Sequence, residues 1–185
     1  MNIKELVELM DLVEIKKETI IRYREVKLLC SYSYKGHKKG CPNVENCKNI
    51  PFFDKIREIN KKYFYLLIAN FDYEKYQEIR SLEKPEWSRN KIRCVLYWQN
   101  SVKKMLKENI EFIFENNFLE NDYLYILGCG SRFKLSFQKE VFSMESTGIN
   151  VFSTLKLNHI EYDLKAINNV KLVCLLCSNQ KIERY

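Results

Sequence analysis

The chain is poor in the residues that punctuate structure and lacks the motifs that announce common enzymes. Five glycines and three prolines in 185 residues leave little material for linkers, and neither an internal repeat nor a low-complexity tract is readable. That economy and the length predict a single domain over residues 1–185, large enough to bury roughly two-thirds of its unfolded surface around one core. There are two histidines and no Ser-His-Asp arrangement, G-x-S-x-G, P-loop or G-x-G-x-x-G, which disfavours the common hydrolases and nucleotide-binding enzymes. The longest apolar run, Tyr63 to Phe71, is far short of the ~20 residues that span a bilayer. The opening MNIKELVELMDLVEIKK mixes acids and bases through its apolar positions, unlike a secretory signal. A cytoplasmic protein without a membrane partner is expected.

Cysteine, by contrast, is plentiful at seven residues. In a reducing compartment, clustered cysteines signal metal or redox chemistry more often than disulfides. Three of them lie in CSYSYKGHKKGCPNVENC, from Cys30 to Cys47, where Gly36, Gly40 and Pro42 read as a loop. Lys35, Lys38 and Lys39 surround them, and nearby positive charge favours the thiolate form that binds metals. Cys41 returns after ten residues containing two glycines and Cys47 follows six residues on, so the three sulfurs can converge as ligands. Zinc or an iron–sulfur cluster normally takes four, and His37 or Cys129 could supply the last. The spacing is neither a pair of C-x2-C units nor a ferredoxin run, and inert thiols are the competing reading. His37 is also explicable as an exposed loop histidine. His159, near the end of an expected helix, is explained by the macrodipole alone. Cys174 and Cys177 form a C-x2-C, but in an extended strand residues three apart point to opposite faces. The flanking apolar residues make both core cysteines, and Cys94 is read the same way.

The net charge of +7 is concentrated: residues 16–48 carry nine Lys or Arg against three Glu. Such a segment could offset a thiolate-bound cluster, or attract nucleic acid or an acidic protein, with Tyr23, Tyr32 and Tyr34 available to stack on bases.

Apolar periodicity predicts a helix over residues 3–13, from Ile3, Leu6, Val7, Met10 and Val13, and a strand from Val26, Leu28 and Leu29 feeding into Cys30. Pro51 suits the first turn of a helix running to about Lys62. YFYLLIANF reads as a buried strand, residues 72–92 as a polar surface excursion, and Val102 to Phe114 as part of a long helix ending near Asn117. Tyr123 to Leu127 and VKLVCLLC read as further strands. The alternation predicts an α/β layered fold with about four strands alternating with helices after an N-terminal helix, the alternative being α+β with a mixed sheet. In SMESTGINVFST, Gly148 suits a positive φ, Asn150 can cap a helix containing Val151, Phe152 and Leu155, and Glu145 is the one possible reagent.

This last run resembles the prokaryotic predicted metal-binding proteins of domain of unknown function 2284. Ser143, Met144, Glu145, Gly148, Ile149, Val151, Phe152 and Thr154 match the family pattern, with Asn150 in place of Asp, and Cys30 and Cys41-Pro42 fit its early cysteine segment. The likeness covers most of residues 25–160. It implies metal binding, as iron–sulfur or zinc, in a reduced form of the family. An early cysteine is missing near Ser33 and Tyr34, Asn43 follows Cys41-Pro42 where the family has a second proline, and Cys47 is additional. Arg132 and Leu135 stand where a second cysteine group would begin, and a member that retains no metal is the limiting case. The function expected is metal binding with redox or electron-transfer work, no reaction being named. The alternative is a cluster-less interaction module that uses the basic segment to bind nucleic acid or an acidic protein.

Overall fold

The computed structural model describes residues 2–7, 10–32, 48–56, 60–117, 124–128, 134–138, 141–163 and 168–183. Two long apolar runs set the frame. Tyr63–Asp72 forms β2 and Asn169–Ser178 forms β5, each ten residues long and almost wholly buried. They pair antiparallel over their full length, from Tyr63 opposite Ser178 to Asp72 opposite Asn169. Among the described residues the sheet has five strands in the order β1-β2-β5-β3-β4, with β1 at Asp11–Ile15, β3 at Tyr125–Gly128 and β4 at Phe142–Ser143. The β3–β4 pair alone is parallel.

The chain is thus of mixed α/β class, but its sheet differs from the expectation of about four alternating strands. A strand–helix–strand alternation suggests parallel crossovers, whereas β2 and β5 meet antiparallel and gain β1 as an extra edge.

Both faces of the sheet are covered, which is why β2 and β5 read as continuous apolar runs. On one face Tyr65, Leu67, Ala69 and Phe71 of β2 and Leu172, Cys174 and Leu176 of β5 pack with Val102, Leu106, Ile110 and Ile113. Those four residues line the inner stripe of α3, Gln99–Asn116. On the other face Phe64, Leu66 and Ile68 pack with Val173, Leu175 and Cys177, and with Met144, Ile149 and Leu155. Burying each such large side chain stabilises the fold by about 1.5–3 kcal/mol, so the two faces together set the fold. Cys174 and Cys177 lie on opposite faces and are fully buried, as their three-residue spacing predicts; Cys94 is half-buried.

Four local expectations are corrected. The helix over 3–13 is a 3-10 turn at Ile3–Leu6 followed by β1; Val13 fits helical spacing from Met10, but it equally fits the alternation of a strand added to the edge of β2. The strand into Cys30 is a 3-10 helix, Arg24–Ser31, that turns Val26 inward and leaves Leu28 and Leu29 exposed. The helix from Pro51 is a 3-10 turn at Phe53–Lys55, with residues 57–59 outside the described set. The surface excursion over 72–92 contains α1, Tyr73–Glu83, and α2, Arg89–Ile92. Asp72 caps α1 by accepting from the Lys75 N–H at 2.9 Å, and Tyr73 and Tyr76 are buried; phenols counted as polar conceal this apolar stripe.

Candidate functional site

The turn between β4 and α4, Val151–Leu157, is where the chain's separate signals meet. The Met144 carbonyl accepts from the N–H groups of Thr147 and Ile149, both at 3.1 Å, and from the Thr147 hydroxyl at 2.7 Å. Closing that loop forces Gly148 to φ +90°, a conformation glycine adopts without the Cβ penalty. Asn150 then accepts from the Ser153 N–H at 2.9 Å and starts α4. Both roles agree with the sequence reading.

The two flanks of the cysteine segment are fastened to this turn. On the leading side, the Tyr23 N–H donates to the Gly148 carbonyl and the Asn150 N–H to the Ile21 carbonyl, each at 2.9 Å. The following 3-10 helix, Arg24–Ser31, packs against Glu145–Thr147. On the returning side, the Phe52 ring lies where a side chain on Gly148 would stand, 2.2 Å from an ideal Cβ. The flanks also hold each other. Arg22 pairs with Asp54 at 2.5 Å and lies over the Phe53 ring at 5.5 Å, while the Lys27 ammonium donates to the Ile50 carbonyl. Sequence reasoning missed Arg22, Lys27 and Asp54, because a basic run gives no sign of which charges are structural.

Of the candidate ligands, His37, Cys41, Cys47 and Cys129 lie outside the described residues, and Cys30 is described in its backbone only. Cys30 sits in the 3-10 helix that abuts the Glu145–Thr147 turn. Gly128, which precedes Cys129 in the chain, pairs with Ser143. Among the described residues no three His, Cys, Asp or Glu side chains gather as a metal site.

Glu145 lines a pocket of about 280 Å³ together with Gln99, Gly128, Met144, Leu155 and Val173. The pocket shares Tyr162, Asp163, Asn169 and Lys171 with a wider open groove that reaches Lys156 and His159. Burial pushes the Glu145 carboxyl up from its ordinary range; its own N–H, the Lys103 ammonium and the Ser143 hydroxyl, which donates to it, only partly offset this. A carboxyl shifted this way keeps its proton to higher pH than an exposed one, and while it is protonated it can donate a hydrogen bond as well as accept one.

No family model matches the chain, and no curated protein or solved structure does either. Among the described residues no helix is long and apolar enough to cross a membrane.

Proposed function

We propose that this is a cytoplasmic metal-binding protein in which the thiolates of Cys30, Cys41 and Cys47 hold a metal, with His37 or Cys129 as fourth ligand. The observation that supports it most is the anchoring of both flanks of the cysteine segment on the Met144–Asn150 turn. A loop whose ends are already joined has less entropy left to lose when its ligands converge. The donor set fits: three thiolates with an imidazole or a fourth thiolate suits zinc or an iron–sulfur cluster and is too soft for calcium or magnesium. The likeness to the domain of unknown function 2284 proteins points the same way, since it pairs this cysteine segment with this turn. An iron–sulfur cluster, when bound, would supply one-electron redox chemistry; the chain's own part is to hold the thiolates and, through Lys35, Lys38 and Lys39, to favour their charge.

The test is metal content after purification without oxygen. Iron or zinc should be present at up to one site per chain and lost in Cys41→Ser, and iron–sulfur would add a broad absorbance near ~400 nm that bleaches on reduction. Protein that carries neither metal, with Cys41→Ser indistinguishable from it, would remove this reading.

A second reading, an interaction module without a cluster, draws on the exposure of Tyr23, Leu28, Leu29 and Tyr32 (52–59%) within the basic segment. It requires retention on heparin that falls steeply with salt and is unaffected by Cys41→Ser.

A further inference from the structure

The stretch following α1 concentrates positive charge around the half-buried Trp87 and the exposed Tyr97. From Arg80 to Arg93 there are five cations and two acids, Glu83 and Glu86. The Trp87 N–H donates to the Lys84 carbonyl at 2.9 Å, making a turn, and Ser88 then caps α2 by accepting from the Lys91 N–H at 3.3 Å. The turn brings the Lys91 ammonium to 4.3 Å from the Trp87 ring centroid and the Arg80 guanidinium to 5.8 Å. The Tyr97 ring leans on Trp87 at 4.6 Å. Beneath, the patch is tied to the core: Tyr73 donates from its hydroxyl to the Arg93 carbonyl at 2.9 Å, and the Arg93 Nε donates to Gln77 at 2.7 Å.

Folding does not account for the outward side of this arrangement. Arg80 is paired with Glu83 at 3.3 Å, but Arg89, Lys91 and Arg93 are exposed and make no ion pair among the described residues. Tyr97 and Val95 remain 40% and 47% exposed beside them. Three cations within five residues, with no carboxylate partner among the described residues, give this face a positive field beside the exposed Tyr97 ring, which suits a polyanion that carries aromatic groups.

We propose that this surface binds single-stranded nucleic acid, with Lys84, Arg89, Lys91 and Arg93 meeting phosphates and the Tyr97–Trp87 pair stacking on a base. An acidic protein segment would satisfy the cations but leave the rings unused. A duplex keeps its bases stacked away from such rings, and α2, at four residues, is too short to enter a groove. The surface uses no residue of the cysteine segment, so binding to it is expected to be independent of metal.

Of the two tryptophans, Trp98 is buried at 3% exposure and stacks on Phe71 at 4.9 Å, so a fluorescence change on binding reports Trp87. The whole protein is titrated with a mixed-sequence single-stranded RNA of about 12 nucleotides, with the matching duplex and with oligoglutamate of equal length, at several salt concentrations. The single strand should quench saturably, with log K against log salt falling at a slope of about −3 for about four phosphates. Arg89→Glu with Lys91→Glu should weaken binding at least ~10-fold and Tyr97→Ala by about the same factor, in variants whose urea curves show them fully folded under the titration conditions. Cys41→Ser should bind normally, which separates this result from the metal reading. The proposal fails if oligoglutamate or the duplex binds as well as the single strand, or if no quenching occurs. It also fails if reversing Lys35, Lys38 and Lys39 abolishes binding while the Arg89/Lys91 double variant binds normally.

Discussion

At the scale of single residues the Met144–Asn150 turn concentrates the sharpest constraints. Gly148→Ala asks a side chain to adopt φ +90° and to enter the space of the Phe52 ring, with an ideal Cβ 2.2 Å from its nearest atom. The backbone strain alone is about 1–2 kcal/mol, and displacing Phe52 loosens the returning flank of the cysteine segment. A loss of about 2–3 kcal/mol in urea unfolding is expected; a loss below ~0.5 kcal/mol would mean that the turn is not built this way. Glu145 makes a prediction in pH. Because burial holds its carboxyl above the ordinary value of 4.5, the native chain keeps a proton that the unfolded chain releases. Stability is therefore undiminished below pH 4.5 and declines as pH rises from there toward the raised value. Glu145→Gln cannot ionise, so its stability relative to the parent should improve between about pH 4 and pH 7.5, read from urea midpoints at each. A difference that is flat with pH, or one that turns against Gln as pH rises, would contradict the burial. Gly148 and Asn150 were legible in the sequence because a left-handed turn and a helix cap are demands on one residue and its immediate neighbours. The shift at Glu145 was not, since the burial behind it involves Gln99 and β5, which are distant in the chain.

At the scale of elements, α4 shows how a helix ends on a residue poorly suited to the task. The His159 N–H donates to the Lys156 carbonyl at 3.1 Å and the Ile160 N–H to the Leu155 carbonyl at 3.0 Å. This Schellman pair places His159 in the left-handed region at φ 57°, and Ile160 packs back on the core with Leu155. Glycine is the usual residue there. His159 is exposed, so His159→Gly loses little packing. It relieves about 1–2 kcal/mol of strain against the extra entropy glycine carries into the unfolded chain, about 0.4–1 kcal/mol. Thermal unfolding should show a net gain of about 0.5–1 kcal/mol, and a loss would show that the imidazole is held by contacts. Which elements could be read in advance follows the same logic of local against distant causes. YFYLLIANF and VKLVCLLC declare themselves because a strand buried on both faces is apolar without interruption. β1 does not: five residues at a sheet edge can satisfy helical and strand spacing together, and only the edge of β2 decides between them. Val26, Leu28 and Leu29 look like a strand, but after the bridge between Arg22 and Ile149 the leading flank turns into the 3-10 helix, Arg24–Ser31.

At the scale of the whole molecule the sheet sets apart two of the seven cysteines, and the contrast with the rest can be read chemically. β5 buries Cys174 under α3 and Cys177 under the opposite face, and desolvation pushes the Cys177 thiol well above its ordinary value. Neither can present a thiolate to a reagent without unfolding of the central strand. Cys30, Cys41 and Cys47 belong to the other class if they hold a metal: they are shielded by coordination, and removing the metal frees them. The count of cysteines made both classes conceivable from sequence, and the three-residue spacing on a strand assigned Cys174 and Cys177 to the core. The contacts that hold the flanks of the other three together, through Arg22, Lys27, Asp54 and Phe52, left no mark in the spacing of the cysteines. Alkylation of protein prepared without oxygen, followed by mapping of the modified peptides, should therefore give three results. Cys174 and Cys177 stay unmodified until denaturant is added; Cys41 and Cys47 stay unmodified before treatment with a chelator and react after it; half-buried Cys94 reacts at one rate throughout. Early reaction of Cys177 would mean that the central strand opens readily. Equal rates for Cys41 and Cys47 before and after the chelator would remove the metal from the account and leave the anchored loop to serve as a binding surface.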